Sequence, residues 1–177
     1  ATFTFIGGAA TDIDSLREVK DVIWWEDSQK IFFLAPVART ELPELLGEAD
    51  VGLSLIPGSS RYREASPTKL AEYMGAGLAV LASEGVDLQE QFMRESGGGV
   101  LVPFSADAIA EGIRRLASDR EYLRACRQRS ALYAQENLQY AGYVPVLEAM
   151  IGSRSPADRS MRYEASASTA PPADRDD

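Results

Sequence analysis

The chain has 177 residues, 45% of them hydrophobic and 25% charged, the make-up of a single soluble globular domain with enough apolar side chains for one core. A net charge of −9 argues against nucleic acid or an anionic membrane as a general partner. No apolar run reaches membrane-spanning length and no signal-peptide pattern is seen, so the expected location is cytoplasmic. With no histidine and a lone Cys126, an internal disulfide and most zinc and triad chemistries are excluded, and Cys126 reads as a small helix residue of the core.

In chain order, short apolar runs alternate with helical patterns. Residues 2–6 favour a strand, ended by Gly7-Gly8. Thr11 or Asp12 can cap a helix through Leu16, Val19 and Ile23, and Trp24-Trp25 reads as packing at its end. Residues 30–34 form a second strand, 41–46 a short helix and 51–55 a third strand stopped by Pro57-Gly58. After a motif at 64–77 come a strand at 79–82, a helix near 88–94 and a strand at 100–102. Gly97-Gly98-Gly99 precedes that strand and reads as a turn, not a phosphate loop. Ala108, Ile109, Ile113 and Leu116 recur at helical spacing, Asp119 begins the next helix, and Asn137 begins a last one carrying Tyr140, Val144, Leu147 and Met150. Alternation of this kind implies an α/β, Rossmann-like parallel sheet with helices on both faces. The expected domain is 1–152. Residues 153–177, rich in Ser, Ala, Pro, Arg and Asp without periodicity, are expected to form a disordered tail.

The motif is Glu64-Ala65-Ser66-Pro67-Thr68-Lys69-Leu70-Ala71-Glu72-Tyr73-Met74-Gly75-Ala76-Gly77. Ser66 is a good N-cap and Pro67 fits the first helical position. The free N–H groups of the first turn, at the positive end of the dipole, favour an anion such as phosphate. Arg61, Arg63 and Lys69 crowd the same spot in a chain with only three lysines. Lys69 and Glu72 share a helix face, where a carboxylate can accept two hydrogen bonds from a sugar diol. Phosphate at the cap and a diol one turn on point to a nucleotide.

This motif, continued by Leu78-Ala79-Val80-Leu81-Ala82-Ser83, resembles the donor-site signature of family 4 glycosyltransferases, also called glycosyl transferases group 1. The resemblance, which covers residues 1 to about 151, implies the second half of a GT-B architecture, two facing Rossmann-like domains. It implies a retaining, metal-independent hexosyl transfer from a UDP- or GDP-linked sugar, with no cofactor. Glu64 and Glu72 have the family's spacing of seven intervening residues. By resemblance Glu72 holds the ribose hydroxyls, Glu64 faces the donor sugar, and Ser66, Pro67, Thr68 and Leu70 approach the sugar and phosphates. Lys69 with Arg61 and Arg63 meets the negative charge of the leaving diphosphate. Glu64 and Lys69 are thus the candidate catalytic residues, and Asp12-Ile13-Asp14, which resembles a metal-binding triplet, reads instead as a helix cap.

Several features depart from the family pattern. The strand ending at Gly7-Gly8 matches the family's second strand, so the first strand, which would sit in mid-sheet, and the acceptor domain are expected from another segment or a second chain. Ala35 stands where glycine is usual, Ala79 where proline often sits, and Ser66-Pro67 replaces a Gly-aromatic-Gly run. Two other readings are a non-catalytic, truncated nucleotide-sugar-binding or interaction module, and an unrelated α/β binding domain.

Overall fold

The computed structural model describes residues 1–7, 30–139, 144–145 and 148–149. Its elements there are β1 (Phe3–Ile6), β2 (Ile31–Leu34), α1 (Leu42–Gly47), β3 (Val51–Ser54), α2 (Thr68–Gly75), β4 (Ala79–Ser83), α3 (Asp87–Ser96), β5 (Gly99–Val102), α4 (Ala106–Ser118) and α5 (Arg120–Asn137). The helix expected at 11–23, Trp24-Trp25, the Asp12-Ile13-Asp14 triplet and the tail lie outside the described residues. The chain divides into two compact units, Ala1–Leu138 and Gln139–Asp177, and residues 144–145 and 148–149 of the second are helical. Asn137 closes α5 instead of opening a further helix, and Leu138 donates its N–H to the Ala134 carbonyl.

All strand pairings are parallel, and the order β3-β4-β5 follows the chain. β4 is buried along its whole length, as a strand covered on both faces must be. Its residues alternate between two cores because side chains on a strand point to opposite faces in turn. Ala79 and Leu81 join Val100, Val102, Leu116, Leu123 and Cys126 on the face covered by α4 and α5. Val80 and Ala82 join Leu70, Met74, Met93 and Ala134 on the face covered by α2, α3 and the last turns of α5. The doubly covered α/β sheet is thus confirmed, and Cys126 is a fully buried helix residue of its core.

Each of the three consecutive glycines 97–99 has its own reason, two of them close approaches and one a backbone angle. A Cβ on Gly99 would lie 1.8 Å from the Val80 carbonyl oxygen in the neighbouring strand, and one on Gly98 would lie 2.3 Å from Ser130 Oγ on α5. Gly97, at φ +57, is the left-handed C-cap of α3. The triple glycine is therefore a turn followed by tight packing.

The sheet is in two pieces. β1 and β2 pair with each other, β3, β4 and β5 form the second piece, and no hydrogen bonds join β1 to β3 among the described residues. Among the described residues both strands therefore have an unpaired edge, at the place where the resemblance puts the family's first strand.

Candidate functional site

The site is built at the carboxyl ends of β3 and β4, where doubly wound sheets bind their ligands. β3 runs into a connection, 55–67, that carries Arg61, Arg63, Glu64, Ser66 and Pro67 and delivers the chain to α2. Turns close its outer part: the Tyr62 N–H donates to the Ser59 carbonyl and the Ala65 N–H to the Tyr62 carbonyl, both at 3.0 Å.

The entry to α2 differs from the sequence expectation. Pro67, at φ −82 and ψ 71, is the cap residue and Thr68 the first helical one, so Ser66 is not the N-cap. The cause is an inverse γ-turn: the Thr68 N–H donates to the Ser66 carbonyl at 2.9 Å, around a proline whose φ is nearly fixed. The N–H that a Ser66 side chain would have capped is thereby taken by Ser66's own carbonyl. Ala71 donates to Pro67 O, whereas the N–H groups of Lys69 and Leu70 have no backbone acceptor among the described residues. An anion at this helix end would meet the exposed Lys69, with its N–H unpaired among the described residues, and the positive end of the dipole.

The side chains around this end take different roles. Lys69 is exposed and has no ion pair among the described residues, so its ammonium is free for a ligand. Leu70 is fully buried in the α2–α3 core, backbone included, so in this arrangement it presents no accessible group to a ligand. Pro67 is buried too, while Ser66, Thr68, Arg61 and Glu64 are exposed. The Arg63 Nε donates to both carboxylate oxygens of Asp87, at 3.2 and 3.3 Å. That pair is well exposed, and pairs of this kind contribute ~0–1 kcal/mol.

Glu72 lies one turn along α2, exposed, with an Arg39 guanidinium nitrogen 4.0 Å from Oε1. Arg39, in the connection between β2 and α1, carries no signal in the sequence, because only the fold brings it to α2. Next to Glu72, Tyr73 lies against β3, and a Cβ on Gly52 would come within 2.3 Å of its ring. Burial, and then the Glu72 carboxylate, hold the Tyr73 hydroxyl above its ordinary pKa.

The connection 55–67 is also fastened to the β4–α3 loop. The Asp87 N–H, at the start of α3, donates to the Arg63 carbonyl at 2.9 Å. Gly85, at φ +100, packs so close to Gly58 that a Cβ would stand 2.5 Å from the Gly58 Cα. Among the described residues no group of three or more His, Cys, Asp or Glu side chains is arranged to hold a metal ion.

This arrangement coincides with a family match. The model of the family described as glycosyl transferases group 1 matches residues 5–133, which include the sheet, the connection and α2. The chain belongs to that family. No curated protein sequence matches it, but solved structures share its fold. Anabaena Alr3699/HepE in complex with UDP and glucose superposes with a TM-score of 0.69 at 16% identity, over 86% of this chain and 41% of that one. Sucrose-phosphate synthase from Thermosynechococcus elongatus gives 0.68 at 20%, over 84% and 37%. The C-terminal domain of a glycosyl transferase group 1 family protein (LpcC) from Francisella tularensis gives 0.58 at 20%, over 75% and 66%. The chain thus spans about two fifths of the length of the first two. Its fold is one Rossmann-like half of the GT-B architecture, and no described helix is long and apolar enough to cross a membrane.

Proposed function

We propose that the chain is the donor-binding half of a nucleotide-sugar-dependent glycosyltransferase of the family 4 type, acting with an acceptor domain supplied by further polypeptide. The observation that carries the reading is the start of α2, where the exposed Lys69 brings its ammonium and an N–H that is unpaired among the described residues, one turn before Glu72. A nucleoside diphosphate fits those donors: the diphosphate at the helix end, the ribose diol on the Glu72 carboxylate. A UDP- or GDP-linked hexose is the substrate class, and such donors place the enzyme in the cytoplasm.

Breaking the glycosyl–phosphate bond leaves negative charge on the departing diphosphate. Donors already aimed at that position lower the barrier without reorganising. In this role the ammonium and the N–H of Lys69 need no metal ion. Glu64, exposed at the end of the connection, faces the sugar, and transfer to an unknown acceptor proceeds with retention. Ser66, Pro67 and Thr68 contribute backbone to the wall of the site, and Arg61 adds charge from the loop. Arg63, tied to Asp87 through Nε, adds its charge from the same loop.

Calorimetry with nucleoside, nucleoside diphosphate and sugar diphosphate separates these roles. Glu72→Gln loses charge and should weaken all three ligands by about 1.5–3 kcal/mol, roughly 10- to 150-fold. Lys69→Ala should weaken diphosphates more than nucleosides, less so at high salt. Glu64→Gln should matter only when the sugar is attached. Undiminished binding by Glu72→Gln would remove the nucleotide from this helix.

The divided sheet favours a second reading, a non-catalytic module that binds a nucleotide sugar or takes up a strand between β1 and β3. Nucleotide binding by the chain, without transfer when an acceptor domain is supplied, would select it.

A further inference from the structure

A polar network lies behind the candidate site, in a place where apolar side chains would pack as well. Gln89 on α3 and Ser83 at the end of β4 are fully buried, and Ser54 at the end of β3 is 4% exposed. The Ser54 hydroxyl donates to Gln89 Oε1 at 2.6 Å, and Gln89 Nε2 donates to the Ser83 backbone carbonyl at 2.7 Å. The Ser83 hydroxyl faces Ile56, accepting from its N–H at 2.8 Å and donating to its carbonyl at 2.6 Å. No buried side-chain nitrogen or oxygen among the described residues lacks a partner. A satisfied buried network adds little net stability, because every hydrogen bond replaces one to water, but it specifies geometry strongly, because any other arrangement strands a polar group.

Geometry is what the site needs here. Ile56 begins the connection that ends in Glu64 and α2. That connection is held at three places on one seam: Ile56 by Ser83, Gly58 by Gly85, and Arg63 by Asp87. The outermost hold includes an exposed ion pair and the middle one is only packing. The inner hold is part-buried and lies next to Gln89, which joins the ends of the two strands and bonds the Ser83 backbone carbonyl.

We propose that Gln89 is a positioning residue of this site. By tying β3 to β4 through Ser54 and Ser83, it sets the path of residues 55–67 and so the placement of Glu64 and the start of α2. It touches no ligand itself. Its effect on binding rests on the donor-site reading; its effect on the loop does not.

The test uses the full chain with Gln89→Glu and Gln89→Leu. A protonated glutamic acid reproduces the glutamine pattern, accepting from Ser54 and donating to Ser83. The ionised form turns two acceptors on that carbonyl and loses the bond. Amide exchange at Ile56 and over 58–64, and affinity for uridine and guanosine diphosphate, are followed between about pH 5 and pH 8. Gln89→Glu should match the parent at the acid end. As pH rises it should lose Ile56 protection and diphosphate affinity together, each by roughly tenfold or more, while core amides of β4 and α5 keep theirs. Gln89→Leu should show both losses at every pH. Unchanged Ile56 exchange in the leucine variant, protection lost evenly across the whole domain, or a loosened loop with unaltered affinity would each overturn the proposal. If the parent binds neither diphosphate, the donor-site reading fails, and the exchange data alone decide whether Gln89 positions the loop.

Discussion

Gly52→Ala is the sharpest test of how the sheet carries the site helix. In a strand interior, replacing glycine by alanine ordinarily stabilises, by ~0.5–1 kcal/mol, because the unfolded chain loses freedom. Here the new Cβ would stand 2.3 Å from Tyr73 Cγ and 2.8 Å from Tyr73 Cβ, where ordinary contact begins at 3.4 Å. Rotating the ring does not relieve the contact with Tyr73 Cβ, which moves only with the helix backbone. α2 must therefore shift away from β3, in a core where Leu70 and Met74 are fully buried. Overpacking of this kind costs ~1–3 kcal/mol, more than the entropy gain, so the sign reverses. With ~2–4 °C per kcal/mol for a chain of this size, thermal unfolding should fall by several degrees. Because α2 bears Lys69 and Glu72, diphosphate affinity should fall too. Tyr73→Ala, itself destabilising, should remove most of the added cost of Gly52→Ala in the double variant, a coupling visible in a double-mutant cycle of urea unfolding. Gly52→Ala as stable as the parent, or strictly additive with Tyr73→Ala, would refute the packing argument.

Other expectations follow from the same geometry. Ser66→Ala should change stability by less than ~0.5 kcal/mol, whereas Ser105→Ala and Asp119→Ala, which remove side chains that cap α4 and α5, should cost ~0.5–2 kcal/mol each in urea unfolding. Burial and Glu72 hold the Tyr73 hydroxyl above its ordinary pKa, so the unfolded chain releases that proton first. Stability from this group is intact below about pH 10 and declines as pH rises further, and Tyr73→Phe should flatten the decline in alkaline denaturation. The unpaired edges of β1 and β3 should make the chain self-associate in light scattering, and adding a segment that pairs with them should reduce this; a monodisperse monomer would show that the edges are protected.

The order of strands and helices is legible in the sequence, because each strand is a short run of β-branched and aliphatic residues between turn formers, and each long helix repeats its apolar residues with helical period. Asp119 as a helix start is equally local, settled by its side chain's reach to the backbone two or three residues on, and Gly97 as a turn is settled by its left-handed φ. The motif at 64–77 also stands out by itself, since a proline-started helix among scarce cations is a chemical pattern. What only the tertiary structure decides is how those groups are used. Ser66 does not cap because its carbonyl competes for the same N–H. Arg63 goes to Asp87, and Arg39 reaches Glu72 from a connection some thirty positions earlier. Gln89, an unremarked polar residue on an amphipathic helix, proves to be buried and to join two strand ends. These partners are distant in the chain, and no local pattern encodes them. Which polar groups meet is set by strand register and helix packing, and these result from burying β4 on both faces.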